Sequence, residues 1–205
     1  MKLNEKYEKF ISQNGTDFVR FVDISSLPVE SRGEYPRAVV FGRALSRKYI
    51  KTLINDESPE RHEFGESENA MDALADSLAE KMSSDGYESV SELEYARLPH
   101  KTVARMAGFG FIGKSTLLVS EEYGCAAVLG KVLTTAPFAT AYAHPKEPQC
   151  GDCNVCVDIC PSKALTGKSW SITTRREEML IRKLCSPCLK CLINCPYTVR
   201  HMEEC

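Results

Sequence analysis

Charge is nearly balanced in this chain. Its 26 lysines and arginines face 28 aspartates and glutamates, a formal net charge of −2. Without an excess of either sign there is no global field to draw in nucleic acid or an anionic membrane surface, so neither is an expected partner. Long apolar runs are missing too: none reaches the length of a membrane span. The N-terminal Met-Lys-Leu-Asn-Glu-Lys-Tyr-Glu-Lys is too charged for the apolar core of a secretory signal. A reducing cytoplasm is therefore the expected location, where structural disulfides are rare. There are four histidines, and His62, His144 and His201, with no partner at ligand spacing, read as ordinary surface residues. Low-complexity segments are absent, and nothing repeats except one pair of cysteine runs.

Those runs are what the chain has in abundance. Cys150-Gly-Asp-Cys153-Asn-Val-Cys156-Val-Asp-Ile-Cys160-Pro161 is followed by Cys185-Ser-Pro-Cys188-Leu-Lys-Cys191-Leu-Ile-Asn-Cys195-Pro196. Both read C-x₂-C-x₂-C-x₃-C-P, the run of bacterial-type [4Fe–4S] ferredoxins. A cubane cluster needs four inward-pointing thiolates. Three cysteines at this spacing form a tight loop around three irons, and the fourth, before proline, opens a short helix leading away. In two-cluster ferredoxins that fourth cysteine ligates the other cluster. One cluster is thus assigned to Cys150, Cys153, Cys156 and Cys195, the other to Cys185, Cys188, Cys191 and Cys160. Structural zinc uses paired C-x₂-C units with longer spacers. Cys125, in an apolar run, reads as a buried small hydrophobe, and Cys205, the last residue, as a frayed end.

The remaining pattern predicts an α/β fold: a mixed sheet with flanking helices over residues 1–145, then a dicluster ferredoxin module over 146–205. Leu3, Tyr7, Phe10 and Ile11 mark an amphipathic helix within residues 2–14. Phe18–Ile24 alternates as a strand, and Arg37–Leu45 carries the continuous apolar run of a buried one. Tyr49 and Leu53 suggest a helical turn. Residues 67–85 form the clearest helix, capped by Ser67, with Met71, Leu74, Ala75, Leu78 and Met82 on its buried face. A short strand is expected within Tyr87–Tyr95, then a helix opened by Pro99. Thr116–Ser120 and Ala126–Thr135 read as strands joined by a turn at Glu121–Gly124. The residues between the two cysteine runs exceed a minimal ferredoxin spacer. They carry Trp170 and a helix near Arg175–Lys183, and read as an insertion able to pack on the first domain.

Gly108-Phe-Gly110-Phe-Ile-Gly113-Lys114-Ser115 matches the P-loop pattern G-x₄-G-K-[ST] letter for letter. A P-loop follows a strand and precedes a helix, because the phosphates sit on that helix's N-terminus. Here the order is inverted: a helix precedes and a strand follows. A glycine turn where backbone closely approaches a bulky cofactor fits better.

Ala107–Val119 with that glycine motif, then Tyr123-Gly, then Leu129-Gly-Lys-Val-Leu-Thr-Thr and the two cysteine runs resemble epoxyqueuosine reductases over about residues 95–200. That family reduces an epoxide in a tRNA-modified base using base-off cobalamin and two [4Fe–4S] clusters, and its cobalamin domain resembles that of reductive dehalogenases. The resemblance implies Gly108, Gly110, Gly113 and Lys114 at the cofactor. The family's catalytic aspartate lies in an Asp-Ser-x-Pro segment. The corresponding region here reads Glu92-Leu-Glu94-Tyr95-Ala-Arg-Leu-Pro99, placing Glu94 near that position. His100 and Lys101, at the start of the next helix, are candidates to donate protons or bind an anion, and Tyr95 is a candidate proton donor. The expectation is of a chain that stops after the cluster module without the family's helical-repeat domain for tRNA, and nucleic acid is not an expected partner. The expected protein is a reductase fed by reduced ferredoxin or flavodoxin, passing electrons to a corrinoid or a small-molecule substrate. The competing expectation is a dicluster electron carrier with a partner-docking domain.

Overall fold

The structure, a computed structural model, describes residues 2–55, 62–91, 97–140 and 145–203. In chain order the elements are α1 Leu3–Ser12, β1 Phe18–Asp23, α2 Val29–Arg32, β2 Arg37–Ala44, α3 Arg47–Asn55, α4 His62–Ser84, β3 Ser89–Ser91, α5 His100–Met106, β4 Gly110–Ile112, β5 Leu118–Ser120 and β6 Ala127–Thr134. The cysteine runs follow with α6 Val155–Asp158, α7 Arg176–Met179, α8 Lys190–Ile193 and α9 Pro196–Glu203. The expected α/β class, a sheet with flanking helices, is what forms. No helix among the described residues is long and apolar enough to cross a membrane.

These elements group into two compact units, neither contiguous in sequence. The first comprises Met1–Ala44, His62–Gly108 and Val128–Pro145; the second, Leu45–Arg61, Phe109–Ala127 and Lys146–Cys205. The first unit holds a sheet in the order β1-β2-β6-β3. β1 and β2 are antiparallel, with Phe18 opposite Gly42 and Asp23 opposite Arg37. β3 and β6 are antiparallel, with Ser89 opposite Thr134. Ala38, Val39, Val40 and Phe41 are fully buried, so successive side chains on both faces of β2 are covered. That is the internal strand its apolar run predicts. α4 buries Met71, Leu74, Ala75, Leu78 and Met82 as its periodicity requires, each leucine or methionine contributing about 1.5–3 kcal/mol when fully removed from water. It begins five residues before Ser67, which is buried within the helix rather than capping it. At the far end of α4, the buried Tyr7 hydroxyl donates to Asp85 at 2.5 Å and Lys6 pairs with the same carboxylate at 2.6 Å, anchoring α1.

The second unit corrects the expected hairpin. β5 pairs antiparallel with β4, not with β6: Gly110 lies opposite Ser120 and Ile112 opposite Leu118. The cause is a tight turn inside the glycine stretch. Gly113 N–H donates to Leu117 O at 3.0 Å and Thr116 N–H to Gly113 O at 2.9 Å, with Thr116 held at φ 64°. β6 is left free to join the four-stranded sheet.

The segment between the cysteine runs folds back within its own unit. Leu165 bridges Leu180, and with Ala164 they form a small core on which Cys156, Cys160, Cys185 and Cys191 pack. The predicted helix near Arg175–Lys183 is a single turn, α7, then a 3₁₀ turn at Arg182–Leu184.

Candidate metal centre

The first cysteine loop is built by short local hydrogen bonds. Cys153 N–H donates to Cys150 O at 2.9 Å across a turn in which Gly151 adopts φ +50°, and Val157 N–H donates to Asn154 O at 2.8 Å to start α6. The glycine stretch lies against this loop. A Cβ added at Gly113 would meet Val119 Cγ2 at 2.9 Å and stand in van der Waals contact, 3.5 Å, with Cys150 Sγ, so the backbone here runs close to the thiol while the Val119 methyl limits the room for a side chain. The backbone N–H of Lys114 donates to the Cys150 sulfur. The Lys114 ammonium donates to Gly151 O at 2.9 Å, Asn154 Oδ1 at 3.0 Å and Cys153 O at 3.1 Å.

A cavity of about 100 Å³ opens between these segments, lined by Cys150, Cys153 and Cys156 of the first run together with Cys195 of the second, and by Gly113 and Lys114. Burial, then the neighbouring Cys150, Cys195 and Cys153 thiolates, push the Cys156 thiol up to about 11. Burial also pushes Cys191 up, to about 12, and it feels Cys188, Cys156, Cys185 and Cys160. The neighbours of Cys156 are thus the other two thiols of its own loop and the last of the second run, a first set; those of Cys191 come from both runs and include Cys156 itself. Among the described residues no three His, Cys, Asp or Glu side chains close on a single ion; the first set is spread around a cavity.

The two terminal cysteines differ. Pro196 opens α9 as expected, and the N–H groups of Tyr197 and Thr198 reach the Cys195 sulfur. Pro161 opens no helix: Cys160 is followed by a turn with Lys163 at φ 51°. Burial raises the Cys160 thiol, but donation from the Ala164 N–H, the Ser162 hydroxyl and the Leu165 N–H outweighs it and leaves the group below its ordinary value.

Cys125 is buried, as its apolar surroundings predict, yet it is not inert filler. Its thiol hydrogen-bonds Cys195, which holds Cys195 low and pushes Cys125 itself up. Its N–H donates to Thr198 Oγ1 at 2.9 Å. Sequence reasoning set Cys125 aside for lying outside the runs; no local spacing links positions so far apart.

The other candidates lie elsewhere. His100, Lys101 and Gly108 belong to the first unit; Gly110, Gly113, Lys114 and the eight run cysteines belong to the second. Gly108 closes α5 at φ 70°, and Gly110 starts β4. Glu94, Tyr95, His144 and Cys205 lie outside the described residues. His100 is driven down to about 4 by burial and by the adjacent Lys101 charge. At neutral pH its imidazole is uncharged, so it offers a hydrogen bond but no imidazolium for an anion. Its ordinary value is 6.5. Between pH 6.5 and 4 the unfolded chain therefore binds more protons than the folded one, and stability falls as pH drops through that window. Urea unfolding at pH 7 and pH 5 should show the native chain losing about 2 kcal/mol more than His100→Leu. Equal losses would mean that the imidazole is not neutral in the fold.

No family model matches the chain. Among curated proteins, an epoxyqueuosine reductase of Listeria monocytogenes is 33% identical over 125 residues, 54% of this chain and 32% of that protein. The chain is similar to epoxyqueuosine reductases. Its match spans about a third of the length of that curated epoxyqueuosine reductase. The fold agrees: the Bacillus subtilis epoxyqueuosine reductase superposes with a TM-score of 0.65 at 18% identity, over 96% of this chain and 65% of that one. An epoxyqueuosine reductase structure with a modified tRNA-Tyr stem loop gives 0.56 at 20% identity, over 79% of this chain and 52% of that one. A reductive dehalogenase, described as acting by B12-dependent dehalogenation, gives 0.59 at 17% identity, over 73% of this chain and 23% of that one.

Proposed function

We propose that this chain is an iron–sulfur reductase of the epoxyqueuosine reductase type, passing electrons through two [4Fe–4S] clusters to a corrinoid or a small substrate. One observation carries the reading: the cavity lined by Cys150, Cys153 and Cys156 from one run and Cys195 from the other. Its chemistry fits the group. The donors are thiols, they come from both runs, and Gly113 leaves backbone close to one of them. A lone tetrahedral zinc would draw four sulfurs to about 2.3 Å from a single point, whereas these surround a space. Residues 146–205 are read as the cluster module, with residues 109–127 supplying one wall of the first site.

When bound, each cluster supplies a one-electron store whose potential depends on charge, hydrogen bonds to sulfur and solvent exposure. The chain's own residues set those three terms. Lys114, Cys125, Tyr197 and Thr198 direct N–H or S–H groups at Cys150 and Cys195, and burial limits water. Reduced ferredoxin or flavodoxin is the proposed donor. Gly108 and Gly110 are proposed to keep the chain close to the acceptor, with His100, Lys101, Glu94 and Tyr95 as candidates near the substrate. Nucleic acid is not an expected partner, but one structural neighbour was solved with a tRNA stem loop, so an epoxyqueuosine-modified stem loop belongs among the substrates tested.

Anaerobic reconstitution should yield about eight iron and eight sulfide per chain. Titrating hydroxocobalamin into that protein should shift its visible spectrum toward the base-off form. Full iron with no shift at high cobalamin leaves the electron carrier; tightly bound zinc in place of iron defeats both readings.

A further inference from the structure

Lysine is almost never fully buried unless paired, yet Lys114 is only 7% exposed. Its three hydrogen-bond acceptors, at 2.9–3.1 Å, are two carbonyls and an amide oxygen. All three are neutral, and among the described residues no carboxylate is paired with it. An ammonium held out of water by neutral dipoles alone is costly, and the cost falls when an anion lies close by. The space beside Lys114 is the cavity of Cys150, Cys153, Cys156 and Cys195. Four thiolates on an iron–sulfur core carry net negative charge when oxidised and one more negative charge when reduced.

We propose that Lys114 is a positioning residue and resident counter-charge for the cluster held by Cys150, Cys153, Cys156 and Cys195. This rests on the iron–sulfur reading above and goes beyond it. The side chain ties down the carbonyls of Gly151 and Cys153, and so presets the loop that carries the first two thiols. Its charge favours the more negative, reduced state, so this cluster is easier to reduce with Lys114 in place than without it. The role also accounts for the P-loop look-alike. The G-x₄-G-K-[ST] residues cradle a polyanion, and that polyanion is a cluster, not a nucleotide phosphate. Gly113 beside the Cys150 sulfur and the Lys114 N–H on that sulfur are parts of the same cradle.

Lys114→Gln keeps an amide donor and removes the charge; Lys114→Arg keeps the charge. Each would be loaded with iron anaerobically and followed by EPR-monitored redox titration beside the native chain. With Lys114→Gln, one of the two cluster signals should need a lower potential, its reduced fraction falling at least tenfold at the native midpoint. The other signal should be unmoved, and Lys114→Arg should keep both near native. Loss of half the iron in Lys114→Gln with retention in Lys114→Arg also supports the role. Unmoved midpoints at full iron, equal shifts of both clusters, loss of both clusters, or ATP turnover that depends on Lys114 would each overturn it. Absence of any iron–sulfur signal from the loaded native chain would instead sink the cluster reading itself.

Discussion

Cys195→Ala should halve the iron of the reconstituted chain, from about eight to about four, and the cluster lost should be the one on the first cysteine run. Cys195 lies in the second run but lines the cavity of Cys150, Cys153 and Cys156. Removing it would leave three thiols on that cavity to hold the group. Double variants decide the pairing. If both serve one cluster, Cys195→Ala with Cys150→Ala should lose no more iron than either change alone. Cys195→Ala with Cys185→Ala should lose nearly all of it. If each run held its own cluster, the two results would be exchanged. Cys160→Ala mirrors the test, since Cys160 is among the thiols that Cys191 feels. Iron and sulfide analysis after desalting reads all of these without an activity assay.

The gathering of Cys150, Cys153 and Cys156 around one cavity was readable because their spacing carries its own geometry: a short loop has few ways to arrange three thiols. The buried strand β2 and the stripe of α4 were readable for a similar reason, since burial writes itself into periodicity. What escaped depended on distance along the chain. Lys114 finds its acceptors 37 to 40 residues away, and its motif, read as a turn at a cofactor, gave no sign of these partners. Cys125 touches Cys195 through a contact with no sequence signature. The strand partner of β5 was misread because Glu121-Glu-Tyr-Gly124 looks like a hairpin turn. Gly124 does turn the chain, and it pairs back to Ser120, at 2.9 and 3.1 Å. The competing turn at Gly113–Leu117 took the strand, and it depends on Thr116 accepting a left-handed backbone that its β-branched side chain disfavours.

That same Gly124 should be among the least replaceable residues of the second unit. It adopts φ +57°, and a Cβ there would lie 2.3 Å from Thr198 N, 2.5 Å from its Cα and 2.6 Å from Oγ1. Thr198 is fully buried, and its hydroxyl accepts from the Cys125 N–H. Neither side can yield without moving the start of α9, whose N–H groups at Tyr197 and Thr198 point at Cys195. Gly124→Ala should therefore cost about 3 kcal/mol or more, combining left-handed strain with overpacking against backbone. It should also loosen the cluster that uses Cys195, so that iron falls toward half on dilution while the other cluster stays. Gly86→Ala separates the two causes. Gly86 has φ +92° but nothing within 4 Å of its added Cβ, so it reports strain without contact and should cost about 1–2 kcal/mol with no loss of iron. Anaerobic urea unfolding and iron analysis of the pair would check this. Equal losses of stability, with full iron in both, would mean that the closeness of Gly124 to Thr198 does not support the Cys195 ligand.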